Sequence, residues 1–117
     1  MPEKSENVIG LYLESVAKSR GLTSYGELVR KFDLPQLDGA WAAHPLAEIF
    51  ELIDQQDALA ERPFRTSVVV SQTTKVPGAG FYEALERLKG IPDPRSPDAR
   101  FDLWIIEINA AHAYAWP

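Results

Sequence analysis

The chain has 117 residues, 45% of them apolar and 25% charged, with a net charge of −5 and no cysteine. That length supports one core burying roughly two thirds of the unfolded surface, and the composition is that of a folded domain rather than a disordered tail. The missing cysteine excludes disulfides, thiolate metal sites and a cysteine nucleophile together, and the acidic balance disfavours nucleic-acid binding by bulk electrostatics.

The start of the chain carries no basic segment leading into an apolar one, and no apolar run approaches the roughly 20 residues of a membrane span. A cytoplasmic location is therefore expected. In chain order, Ile9, Tyr12, Leu13 and Val16 recur at i, i+3, i+4, i+7 and predict a first helix over Glu6 to Arg20, with Ser5 as its N-cap and Gly21 as its stop. Ser24 and Glu27 fit a capping box, so a second helix opens there and closes before Leu34-Pro35.

Between Phe32 and Glu61 stand seven acids and no Lys or Arg. The third helix begins either at Pro45 or near Gly39 with a kink, and His44 reads as a capping or surface residue. Leu46, Ile49, Phe50 and Ile53 form its apolar stripe, with Glu48, Glu51, Asp54 and Asp57 expected off that stripe.

Thr66 to Ser71 is rich in β-branched residues and predicts a strand, returning through Lys75-Val76 as a hairpin over about 66–77. Val76-Pro77-Gly78-Ala79-Gly80 then supplies turn chemistry, and Phe81 to Lys89 predicts a helix with Glu83 and Arg87 paired and Gly90 as stop. Ser96 as cap and Pro97 at the first position open a last element. Its Phe101, Trp104, Ile105 and Ile108 repeat at helical spacing, although Leu103 to Ile106 also reads as a buried strand. An aromatic end, Tyr114 to Trp116, is expected to dock.

No motif in the chain carries recognisable catalysis or cofactor binding. His44 and His112 lie in no metal spacing, the serines lack a G-x-S-x-G elbow, and the Gly-rich turn lacks the remaining residues of a dinucleotide or P-loop fingerprint. The expectation is a non-enzymatic protein without a cofactor.

The run Thr23-Ser24-Tyr25-Gly26-Glu27-Leu28, followed by a helix and then by Arg62-Pro63-Phe64-Arg65 leading into Val68-Val69-Val70-Ser71, resembles the winged-helix domain of alkylguanine-DNA alkyltransferases and alkyltransferase-like proteins. The resemblance covers roughly Thr23 to Leu88. Without the family's reactive cysteine, alkyl transfer is excluded. The stretch Val69 to Phe81 also resembles small bacterial domains with a V-V-x-x-x-T-x-x-P-G-x-G-F turn, a likeness that implies no activity.

The fold expected from these observations is α+β and mainly helical, winged helix-turn-helix-like, in a single domain over 1–117. A helix-turn-helix and wing would occupy about 6–77, and closing helices about 80–113. On that architecture the chain associates with DNA weakly or within a larger assembly, through Ser24, Tyr25, Arg30, Lys31, Gln36, Trp41, Arg65 and Lys75. The alternative is an acidic protein-interaction module that meets a basic partner through Glu48, Glu51, Asp54 and Asp57 of the third helix, or through the aromatic end.

Overall fold

The computed structural model describes residues 5–117, and the fold over them is mainly helical with one very small sheet. Five helices, α1 (Ser5–Lys18), α2 (Tyr25–Lys31), α3 (Pro45–Leu59), α4 (Ala79–Lys89) and α5 (Pro97–Ala113), account for most of it. Two strands of two residues each, β1 (Thr23–Ser24) and β2 (Val69–Val70), pair in parallel with Thr23 opposite Val69. None of the helices over the described residues is long and apolar enough to cross a membrane.

The helix boundaries follow local chemistry closely. Ser24 Oγ accepts from the Glu27 amide at 3.1 Å and so caps α2. Only half of the expected box forms, because the Glu27 carboxylate takes the Thr23 hydroxyl at 2.9 Å instead of turning back to Ser24. α3 begins at Pro45, and the residues before it make a separate 3-10 turn, Trp41–Ala43. Gly90 closes α4 in the left-handed conformation, at φ 69. Ser96 caps α5 through the Ala99 amide with Pro97 in the first turn, which makes 101–108 helix and not strand. α1 already begins at Ser5, so its cap falls outside the described residues.

The hairpin expected over 66–77 is absent. Arg65–Val68 is a 3-10 turn, β2 is confined to Val69–Val70, and β2 pairs with β1 rather than with a returning arm. After β2 the chain folds into a tight turn closed by the Ser71 amide on the Val76 carbonyl at 2.9 Å. The physical reason lies in burial: every residue from Phe64 to Val70 is buried, and this segment is the axis on which α1, α3 and α5 pack. A buried segment must satisfy its backbone groups, and here side chains do so. The Phe64 amide donates to Glu107 at 2.8 Å, the Arg65 amide to Asp57 at 2.8 Å, and the Ser67 carbonyl accepts the Trp104 indole N–H at 2.7 Å. With side chains serving these groups and the 3-10 turn bonding within itself, the segment needs no full ladder.

Two ion-pair groups lock the axis to its surroundings. Asp57 takes the Arg62 guanidinium at 2.7 Å and that of Arg65 at 3.0 Å, while Arg65 also donates to Gln56 and approaches Glu14 at 3.5 Å. Lys89 joins Glu107 at 2.8 Å and donates to the Arg62 carbonyl at 2.9 Å, tying α4 to α5. Gly10 makes room for the first group, since a Cβ there would stand 2.6 Å from an Arg65 guanidinium nitrogen. The aromatic end is docked: Trp116 is buried and its indole donates to the Ala111 carbonyl at 2.8 Å.

Candidate functional site

A cleft of about 750 Å³ lies between α3, α4 and the 3-10 turn at Trp41, within the roughly 300–1,000 Å³ common for ligand sites. Its aromatic side is built from three elements. Tyr25 opens α2, Trp41 sits on the 3-10 turn, and Phe50 lies on α3. Their rings meet edge to face or tilted, with centroids 5.5 Å (Tyr25–Trp41), 5.9 Å (Trp41–Phe50) and 6.0 Å (Tyr25–Phe50) apart.

The sequence places these rings by local bonds. His44 Nδ1 accepts the Leu46 amide at 3.0 Å and caps α3, which leaves Nε2 to donate to the Pro35 carbonyl at 2.7 Å. The imidazole then stacks on Trp41 with 4° between the planes. The Tyr25 hydroxyl accepts from the Gly78 amide at 2.9 Å, fixing the Gly-rich turn as the opposite lip of the cleft. Burial pushes the Tyr25 phenol above its ordinary value.

The polar side belongs mostly to α3. Glu48 and Glu51 stand toward the opening, Asp54 and Thr66 deeper, and α4 adds Glu83 and Arg87. Arg87 is engaged already, gripping Glu51 with two bonds of 2.6 and 2.7 Å and holding that carboxyl below the usual range. It therefore does not pair with Glu83 as its spacing predicted. With Arg87 spoken for by Glu51, Glu48 and Glu83 keep no ion-pair partner among the described residues, so the opening of the cleft is electronegative.

Asp54 is the unusual member. It is 4% exposed, its Oδ1 accepts the Thr66 hydroxyl at 2.7 Å, and its Oδ2 receives no hydrogen bond from the described residues. Burial away from water is the main cause that raises its pKa to about 8, with Asp57 and Glu51 adding repulsion and the Thr66 bond and Lys89 opposing it. At neutral pH this carboxyl is mostly protonated. The arrangement can bind and orient a ligand, and it holds an acid inside a largely apolar space.

The residues singled out from sequence are dispersed. Of the eight assigned to DNA, Ser24 is buried as a helix cap and Arg65 is buried at 4% exposure with its guanidinium turned inward, so neither reaches a surface. Tyr25 and Trp41 line the cleft. Arg30, Lys31, Gln36 and Lys75 are exposed, with Lys31 also resting 4.9 Å above the Tyr12 ring.

Of the four acids assigned to a partner, Glu48 and Glu51 lie toward the cleft opening, Glu51 already paired with Arg87, while Asp54 lies deep in the cleft. Asp57 is wholly buried among arginines and is structural. The correction for Asp54 and Asp57 is one of periodicity: 46, 50, 53 and 57 recur at helical spacing and share the inward face, with 54 beside it. Sequence reasoning missed Thr66, Phe50 and Glu83 as cleft residues; the i, i+4 spacing of Phe50 and Asp54 on α3 is a signal for Phe50, while Thr66 and Glu83 come from other elements and carry none. Compared with protein-family models, curated proteins and solved structures, the chain matches none.

Proposed function

We propose that this chain is a non-enzymatic binding module whose cleft receives a basic segment of a partner protein. The observation that carries this reading is the cleft itself, an aromatic wall of Tyr25, Trp41 and Phe50 facing Glu48, Glu51, Asp54 and Glu83. Aromatic faces attract cations at close range, worth about 0.5–2 kcal/mol each, and unpaired carboxylates at the rim steer a basic chain toward the opening. The depth suits an inserted side chain rather than flat docking.

A second reading is a winged-helix-like domain that associates weakly with DNA. It is supported by Arg30, which lies beside the turn bearing Gln72 and Lys75, since the Arg30 guanidinium and the Gln72 amide both border Gly26. With Arg65 and Ser24 committed to the interior, this edge offers Arg30, Lys31 and Lys75, few cations for an interaction driven by counterion release.

Fluorescence anisotropy with labelled probes separates the two. A lysine- and arginine-containing peptide is expected to bind wild-type protein and to weaken about tenfold with Glu48→Lys and Glu83→Lys, both exposed and removable without a core cost. A random-sequence duplex that binds more tightly than the peptide, and weakens with salt and with Arg30→Ala, Lys31→Ala and Lys75→Ala, would transfer the assignment to DNA.

A further inference from the structure

Among the buried acids of the described residues, Asp54 is set apart by lacking an ionic partner. On α3, Glu51 holds Arg87, and Asp57 holds Arg62 and Arg65. On α4, Arg87 is taken by Glu51 and Lys89 by Glu107 and the Arg62 carbonyl. From α2, Tyr25 presents a hydroxyl already engaged with Gly78, and Glu48 and Glu83 at the opening bring only more negative charge. An ionised carboxyl so deeply buried is costly unless a charge is supplied to it. None of the described groups supplies one.

We propose that the floor of the cleft is a primary-ammonium subsite, in which Asp54 and Thr66 receive the terminal amine of a lysine side chain from the partner while the aromatic wall covers its methylene stem. This deepens the reading of the cleft as a cation site and rests on it. The geometry selects among cations. Oδ1 already accepts the Thr66 hydroxyl at 2.7 Å, so the planar fork of an arginine would have to share that oxygen with the hydroxyl, whereas a single-point donor need not. Oδ2 remains for a single donor, which an ammonium provides and a trimethylammonium does not. The stem of lysine is apolar and four carbons long, matching an entry walled by rings.

Proton balance follows from the same site. Burial holds Asp54 protonated up to about pH 8, whereas a lysine arrives already charged. As the ammonium enters, Asp54 gives its proton to solvent, leaving a carboxylate–ammonium pair. Uptake of one lysine therefore releases about one proton below pH 8, and affinity rises about tenfold per pH unit in that range.

The experiment is calorimetric titration of a short neutral-flanked peptide with one central lysine, in two buffers of different ionisation enthalpy, at pH 6, 7 and 9. Release of close to one proton at pH 6 and 7, shrinking toward none at pH 9, is expected. Peptides with arginine or trimethyl-lysine at the same position should bind at least about tenfold more weakly than lysine at pH 7. Asp54→Asn, which keeps an acceptor for Thr66, should abolish both the proton release and the preference for lysine. Equal binding of the three peptides, or no proton release by wild-type protein, overturns the subsite. If basic peptides still bind in a manner sensitive to Glu48→Lys and Glu83→Lys, the rim-docking reading survives that failure; if no basic peptide binds at all, both fall. Free butylamine binding as tightly as the peptide would overturn the assignment to a protein-borne lysine.

Discussion

Asp57 shows how much a single residue can hold in a chain of this size. It is fully buried, and its two oxygens take the Arg62 guanidinium, the Arg65 guanidinium and the Arg65 backbone amide. Removing one partner of such a group leaves the rest charged and dry, a loss of about 3–5 kcal/mol. Asp57→Ala is thus expected to cost that much in urea unfolding at constant m-value. Arg65→Met should cost less, since Asp57 keeps Arg62 and the apolar stem still fills the site beside Gly10. A cost under about 1 kcal/mol for Asp57→Ala would show that the pair contributes little.

The acid itself was readable from sequence and its burial was not. Asp57 lies at helical spacing from Phe50 and Ile53, which marks the inward face, yet an acid there normally argues against that face. What reverses the argument is Arg65, brought opposite by a turn at Arg62-Pro63 and not by any periodic pattern. Pairing across a fold leaves no trace in local spacing, and Asp54, paired with a hydroxyl alone, leaves even less.

Among the elements, those fixed by adjacent residues were legible. Ser24, His44 and Ser96 each sit at a helix start where the side chain reaches an amide two or three residues ahead, and all three caps form. Ser96→Ala is accordingly expected to lower stability by about 1 kcal/mol in thermal melts. His44→Ala loses more: the cap, the bond to the Pro35 carbonyl and the stack on Trp41 go together. It should also weaken peptide binding in the cleft, whereas Ser96→Ala, at a residue that does not line the cleft, should leave binding unchanged. Equal binding by both variants would detach His44 from the positioning of Trp41.

The element that sequence misread was the central one. Thr66 to Ser71 has the composition of a strand, but propensity describes a half-buried surface with a ladder on at least one side. Here Thr66 to Val68 bond within a 3-10 turn, the Ser67 carbonyl takes the Trp104 indole, and only Val69 and Val70 retain strand pairing. Apolar spacing likewise overstated the buried face of α5, where Trp104 and Ile108 are buried and Ile105 is half-buried but Phe101 is open to solvent.

At the scale of the whole molecule, the cleft links stability to pH. Asp54 titrates at about 8 in the folded chain, against the ordinary 3.8. Between those values the native state holds a proton that the unfolded chain has released. The native state is therefore the better proton binder, and stability falls as pH rises through the window. The contribution is complete below about pH 4 and gone above about 8. Each unit of difference corresponds to about 1.4 kcal/mol, so the whole span amounts to about 6 kcal/mol, a large share of the 5–15 kcal/mol that holds a domain together. Asp93 moves in the other direction, held at about 2 by the Arg100 guanidinium, so its effect is confined to strong acid. Urea unfolding at pH 5, 7 and 9 should show wild-type protein losing stability relative to Asp54→Asn at each step, with the variant the more stable of the two at pH 9. A difference that stays flat across the series would mean that Asp54 is hydrated and not the lone buried acid of the cleft. A buried carboxyl that costs stability, with one oxygen still open, fits the proposed role of meeting a ligand's charge. By the same linkage, a lysine peptide should recover much of the stability lost at pH 9, because it supplies the charge that folding alone withholds.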